Sequence, residues 1–305
     1  MDSKTRGFAT IATGKEHYYK IAHNLLCSYR LHAGEYPFAI ICDRENKYTA
    51  AFDKTVRVED PAYSYMDKLR LFDCLPYDET IFIDADCLVY GDIDSWWELF
   101  EKAGDFSVFG CAYDDLTTDK GWFMTEGMGK YRDSINFVPS FSGGVYYLRN
   151  TETCSKVFET AREAAANYKD YPFAIFKDPA DEPVIALGMA VTNCRPVECS
   201  DVGNYTYKRF CNADIAVPRA EWCYRDIWRP IKLIHWGNFG TMKAFYLTEA
   251  SKARRLLKGK PPKGLVWTVL YRWKLMYYAL HVCDLITLWK RIKRRIRIRI
   301  NDLRR

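Results

Sequence analysis

Short apolar runs rich in β-branched and aromatic residues alternate with segments of helical period along the first 250 positions, which predicts strands feeding helices and an open, mainly parallel sheet. Gly7 to Thr13 reads as a first strand and residues 18–32 as the helix that follows. Pro37 to Cys42 and Thr55 to Val58 read as the second and third strands. Tyr65 to Phe72 has the spacing of an amphipathic helix, with Leu69 and Phe72 inward and Lys68 and Arg70 on other faces. Within the stretch Ile81 to Tyr90 an apolar run reads as a buried strand that ends in Asp84 and Asp86. Ile93 to Phe100 then reads as a helix capped by Asp92 or Asp94, a structural use that keeps both acids out of the candidate site. Residues 111–139 lack a period and predict a long loop or short hairpin region, a place for a lid or an acceptor site. Beyond them come a strand over Phe141 to Leu148, a surface helix over 151–168, a helix opening at Asp181 with Pro183 just inside it, and a strand over Ile231 to His235.

At 305 residues and 49% hydrophobic composition the chain can bury a sizeable core and is not a disordered segment. The net charge of +6 conceals an asymmetry. Residues 1–250 hold 28 Lys/Arg against 37 Asp/Glu, a net −9, whereas residues 251–305 hold 17 against 2, a net +15. The division predicts a globular body over 1–250 and a basic, aromatic-rich tail over 251–305. Eleven cysteines form no CxxC pair and no zinc-like spacing, and the N-terminus does not read as a signal peptide, so the expected compartment is the reducing cytoplasm.

The chemistry concentrates in five places. Asp84 and Asp86 bracket one small residue, so in extended backbone both carboxylates face one way and can share a divalent cation; a solvated turn after a strand uses the same residues. The turn Gly14-Lys-Glu-His-Tyr18 leads a strand into a helix N-terminus, a setting for nucleotide recognition, although neither GxGxxG nor GxxxxGK[ST] is present. Phe141-Ser-Gly-Gly-Val contains a glycine pair that lets either a sugar or a packed neighbour approach the backbone. Asp181-Glu-Pro places two acids in a first helical turn, which the helix dipole favours by itself, and His235 follows a strand with two glycines and Lys243 after it.

In this order the segments resemble the retaining glycosyltransferases of the glycogenin and bacterial lipooligosaccharide galactosyltransferase type, a family 8-like pattern covering roughly residues 7–245. The resemblance implies an α/β, GT-A nucleotide-sugar transferase fold: a Rossmann-like mixed, mainly parallel sheet flanked by helices. It also implies a UDP-sugar donor, Mn²⁺ or Mg²⁺ as cofactor, and transfer of a hexose with retention. Under it Asp84, Asp86 and His235 hold the metal; Ile11, Thr13, Gly14 and Tyr18 border the uridine, with His17 as the alternative to Tyr18; and Ala85 and Gly143 border the donor. Lys68 contacts the donor, Lys243 the leaving phosphate, Asp181 a donor-sugar hydroxyl, and Glu182 sits near the anomeric carbon. Three features depart from the family pattern. Ser142 and Gly143 stand where Asn or a small residue is usual, Glu182 stands where Gln is common, and the interval from His235 to Lys243 is longer.

Residues 264–305 combine Trp, Tyr and Leu with dense Lys/Arg, nine of them against Asp302 in 290–305 alone. Arg272, Lys274 and Asp284 break the apolar stretch well short of the ~18 continuous residues a spanning helix needs. The segment predicts an amphipathic helical tail lying on an anionic membrane surface. Nucleic-acid binding is the weaker reading, since the body is acidic. The expected protein is a glycosyltransferase peripheral on the cytoplasmic face of a membrane, acting on a glycan or lipid-linked acceptor. Its alternatives are an inactive sugar-nucleotide or membrane-surface binding module and a sugar-phosphate nucleotidyltransferase.

Overall fold

The computed structural model describes residues 5–173, 179–205, 210–224 and 227–262. The chain runs through β1 (Arg6–Ala12), α1 (Glu16–His32), β2 (Phe38–Cys42) and β3 (Lys54–Arg57). Two 3-10 turns, Tyr65–Arg70 and Phe72–Cys74, lead into β4 (Glu79–Ile83) and β5 (Cys87–Val89). Then follow α2 (Trp96–Phe100), β6 (Phe106–Tyr113), β7 (Val138–Arg149), α3 (Glu152–Ala166) and α4 (Asp181–Thr192). The last part holds β8 (Val202–Asn204), β9 (Phe210–Asp214), β10 (Arg219–Tyr224), β11 (Ile227–Pro230), β12 (Leu233–His235), α5 (Gly237–Gly240) and α6 (Ala244–Leu256).

Six strands form the central sheet in the order β3-β2-β1-β4-β7-β6. β3, β2, β1 and β4 are mutually parallel, and β7 runs antiparallel to both its neighbours. The sheet is covered on both faces, which is why its strands read as apolar runs rather than as alternating patterns. Period two still sorts the side chains: Phe82, Tyr146 and Leu148 join the core under α3 and α4, whereas Ile81, Ile83, Val145 and Tyr147 join the core under α1 and α2. Each such side chain contributes about 1.5–3 kcal/mol on burial. α3 behaves as its pattern predicts, with Thr151 capping it and Cys154, Val157, Phe158, Ala161 and Ala164 buried along one face.

The structure corrects two local expectations. Tyr65 to Phe72 is not an α-helix but a pair of tight 3-10 turns, because Ser64 accepts from the Met66 amide and the buried Asp67 and Lys68 carboxylate and ammonium are drawn inward beside Leu69. The strand that includes Ile81 ends at the acidic pair, as its pattern predicts. Here the chain leaves the central sheet as β4 and enters a second sheet, β5-β12-β8, as β5. Neither Asp92 nor Asp94 caps a helix by its side chain. α2 starts late, behind Ser95, while Asp94 accepts from the Gly34 and Glu35 amides and the Tyr29 hydroxyl, pinning the loop after α1. Both acids nonetheless serve structure. The region over 111–139 begins in β6, carries a 3-10 turn at Gly129–Ser134 and enters β7.

Cys27, Cys42, Cys74, Cys87, Cys111, Cys154, Cys194 and Cys199 carry free thiols. Among the described residues no helix is long and apolar enough to cross a membrane. The basic segment 264–305 lies outside the described residues.

Candidate active site

The site forms where the chain passes between two sheets. The Asp84 amide donates to Gly144 O of β7 at 2.9 Å, the Cys87 amide to Asp84 O at 3.0 Å, and the Trp236 amide to Asp86 O at 3.1 Å. These bonds close Asp84-Ala85-Asp86 into a turn and fasten one end to the central sheet and the other to β12. His235 ends β12 in register with Cys87 of β5, which delivers its imidazole to the acid pair.

His235 Nε2 lies 3.1 Å from Asp86 Oδ1 and 3.7 Å from Asp84 Oδ2. Nδ1 of the same ring is 3.2 Å from both Asn204 Oδ1 and Ser142 Oγ. With the Nδ1 proton directed to Asn204, a cation that displaced the Nε2 proton would meet the ring nitrogen a metal-ligating imidazole uses. Burial opposes the imidazolium, but the facing Asp86 and Asp84 charges outweigh it and hold His235 up at about 9. Burial lifts Asp84 to about 6 against the pull of Lys68, while at Asp86 the burial penalty is overcome by His235 and the carboxyl falls below its ordinary value. Asp86 Oδ1 is buried and outside hydrogen-bond geometry with any donor. Two carboxylates and one imidazole, with the buried Asp86 Oδ1 ion-paired only to His235 among the described residues, make a mixed oxygen and nitrogen donor set that fits Mn²⁺ or Mg²⁺. Cys87 also comes near, its sulfur lying within 4.8 Å of ligand atoms of Asp86 and His235. Burial and the neighbouring acids hold that thiol well above its ordinary pKa, so it is a protonated neighbour of the triad.

Lys68 joins this triad to a second acid pair. Its Nζ donates to Asp84 Oδ2 at 2.8 Å, to Asp181 Oδ2 at 2.8 Å and to Gly143 O at 3.1 Å. All three ammonium protons are thereby committed within the protein. Burial works against the charge, yet Asp181 and Asp84 raise the Lys68 pKa well above its ordinary value. Asp181 Oδ2 also accepts from the Tyr146 hydroxyl at 2.9 Å. Glu182, next along α4, is pushed up to about 7 by burial and by the Asp181 charge. The glycine pair is explained by these neighbours. A Cβ on Gly143 would stand 2.9 Å from the Tyr146 hydroxyl and 3.0 Å from Asp181 Oδ2, and one on Gly144 would stand 3.0 Å from His235 Nδ1. Close packing of the chain's own site residues therefore requires both glycines.

Ile11, Thr13, Tyr18, Lys68, Asp84, Ala85 and Asp86 line one cleft of about 330 Å³. Tyr18 rather than His17 faces it, since His17 Nε2 is turned to Thr241 Oγ1 at 3.3 Å. Gly14, at φ +75°, forms the turn beside the cleft, and its amide donates to Asp43 Oδ1 at 3.0 Å. Lys243 stands at the N-terminal end of α6 and does not line the cleft, whose rim on that side carries Asn238. A second cavity of about 520 Å³ adjoins the Nδ1 side of His235, where Ser142 and Asn204 form its wall with Cys111 and Trp222. Sequence reading missed Asn204, Tyr146 and Asp67. Asn204 and Tyr146 carry no local signal, whereas an acid at Asp67 inside an otherwise amphipathic segment is a sign of a buried partner. That partner is the β1–α1 turn: Asp67 accepts from Thr13 Oγ1 at 2.7 Å and from the Ala62 amide at 2.6 Å.

No protein-family model and no curated protein sequence matches the chain. Solved structures do. The galactosyltransferase LgtC, crystallised in complex with donor and acceptor sugar analogs, is 14% identical, with 86% of this chain and 98% of that chain covered at a TM-score of 0.50. An active-site glutamine-to-glutamate mutant of LgtC gives 13% identity, the same coverage and a TM-score of 0.51. The glycosyltransferase GlyE of Streptococcus pneumoniae TIGR4 is 13% identical at a TM-score of 0.43, and the chain spans less than half of its length, 46%. The LgtC likeness extends over nearly the whole of that enzyme. The chain has the GT-A glycosyltransferase fold.

Proposed function

We propose that the protein is a metal-dependent glycosyltransferase that moves a hexose from a UDP-sugar to a hydroxyl of a glycan or lipid-linked acceptor with retention of configuration. The observation that carries this reading is the union of two acid pairs through Lys68: Asp84 and Asp86 with His235 on one side, Asp181 and Glu182 on the other, across Gly143. Asp84, Asp86 and His235 would hold Mn²⁺ or Mg²⁺, which when bound supplies positive charge to a departing diphosphate. The cleft from Lys68 to Ile11 accepts the nucleotide.

Lys68 keeps Asp84 and Asp181 at fixed separation and offsets their charge, which acts on the donor through its neighbours rather than by direct contact. Asp181, held by Lys68 and Tyr146, presents its carboxylate to a donor-sugar hydroxyl. In the reaction the bond from the anomeric carbon to the diphosphate oxygen breaks with its electron pair leaving on the diphosphate. The acceptor oxygen bonds to the anomeric carbon and loses its proton to the diphosphate. Glu182 as the ionised carboxylate stabilises the oxocarbenium character of the sugar, and it is chemically able to form a transient adduct. The basic segment 264–305 attaches the enzyme to the cytoplasmic face of an anionic membrane and so brings the site to a membrane-proximal acceptor.

The test is a screen of nucleotide-sugars for hydrolysis with Mn²⁺. UDP release from at least one UDP-sugar, abolished by Asp86→Asn, is expected. No release from any nucleotide-sugar, with nucleotide still bound, would point to the inactive binding module instead.

A further inference from the structure

The cleft has a rim that the catalytic groups do not account for. Tyr63 and Tyr65 line it, yet their side chains stand 63% and 62% exposed, the largest exposures among the apolar residues described. Large aromatic rings left in water beside a concave site mark a surface that a ligand covers. Two further observations show that these rings are held in place rather than loosely displayed. Tyr63 adopts φ +54°, a left-handed conformation that non-glycine residues avoid unless the surroundings impose it. What imposes it is Asp67, 3% exposed, which accepts from the Ala62 amide just before Tyr63 and from Thr13 on the opposite wall. The Tyr63 ring packs on Gly14, where a Cβ would come within 2.9 Å of it, so any side chain at position 14 would displace the ring.

We infer that Tyr63 is a preformed stacking platform for the planar base of a nucleoside diphosphate, with Tyr65 closing the cleft beside it toward the donor sugar. The inference rests on the donor-binding reading given above. The ligand class follows from the two ends of the cleft. At one end Asp84 and Asp86 suit a metal-bound diphosphate, and at the other the aromatic ring against the β1–α1 turn suits a flat heterocycle. Tyr65 lines the same cleft as Tyr63 and the acids. Asp67 is the positioning residue, tying both walls at Thr13 and Ala62.

Calorimetric binding of UDP, GDP, CDP and ADP, and of inorganic pyrophosphate, each with Mn²⁺, separates the possibilities. In the unchanged protein UDP binding is expected. Tyr63→Ala should weaken it by about tenfold or more while pyrophosphate binding stays as it was, and Tyr63→Phe should restore it. Asp67→Asn should weaken UDP in the same direction. If the unchanged protein binds none of the four nucleotides, the donor-binding reading itself fails. If it binds UDP and Tyr63→Ala binds it equally well, the stacking role alone is overturned. If Tyr63→Ala loses UDP and pyrophosphate alike, the ring supports the cleft as a whole and the platform is likewise rejected.

Discussion

Lys68 Nζ donates to Asp181 Oδ2 at 2.8 Å, a buried ion pair that spans 113 positions of sequence and carries the metal-type acids and the α4 acids on one ammonium. Lys68 is 7% exposed and Asp181 2%, so neither charge has water to fall back on. Replacing Lys68 by Met should therefore leave Asp84 and Asp181 facing each other uncompensated and cost about 3–5 kcal/mol of stability. Chemical denaturation would measure it. A loss under 1 kcal/mol would mean the two acids relax or protonate without penalty.

Glu182 makes a prediction about pH in two independent readouts. Its carboxyl is raised from 4.5 to about 7 in the fold, so the folded chain keeps a proton that the unfolded chain releases between those values. The resulting contribution to stability is fully present below about pH 4.5 and is lost as pH rises through about 7. Glu182→Gln should flatten the stability profile in that window. In catalysis the ionised form is the useful one, so turnover should rise with pH through about 7 and the variant should lose both this limb and on the order of 10²-fold in kcat. Full turnover in the variant would exclude a nucleophilic role.

The Nδ1 contacts of His235 predict an indirect effect on metal affinity. Asn204 and Ser142 orient the ring from 3.2 Å without facing the cation side. Asn204→Ala should lower Mn²⁺ affinity about 10–100-fold while leaving the fold intact. Thermal shift with added Mn²⁺ gives the measurement, since saturation at 100 times Kd should stabilise the unchanged protein by about 2.7 kcal/mol and chelation should remove that gain. An equal shift in His235→Ala would place the cation elsewhere.

The tail predicts membrane attachment at low salt. With nine Lys/Arg in 290–305 and roughly 1 kcal/mol for each cation near an anionic surface, full-length protein should float with anionic liposomes, and a 1–260 truncation should stay behind. Flotation of both to the same extent would remove the proposal.

The one-dimensional pattern carried most of the fold. Runs such as Phe38 to Cys42 and Glu79 to Ile83 are buried on both faces and read directly as strands of a covered sheet, and α3 announced itself through its stripe from Cys154 to Ala164. The residues that converge at the candidate site were also legible as candidates, because Asp84, Asp86, Asp181 and His235 sit at the ends of elements that the fold brings to one edge of a mainly parallel sheet. The segment Tyr65 to Phe72 misled because its period is helical, while the hydrogen bonds of Ser64 and the inward pull on Asp67 and Lys68 tighten it into 3-10 turns.

What the sequence by itself determined is therefore which residues are apolar strands, which are helices, and which side chains are able to do chemistry. Only the tertiary structure decided their company. It withdrew Lys68 from solvent and spent all three of its protons inside the protein, turned His235 by way of Asn204, filled the space above Gly143 and Gly144 with the chain's own side chains, and held Tyr63 in a strained backbone over Gly14. The physical reason is that period and propensity act over a few residues. Burial, charge pairing and steric room are set by neighbours that only the crossing of two sheets brings together.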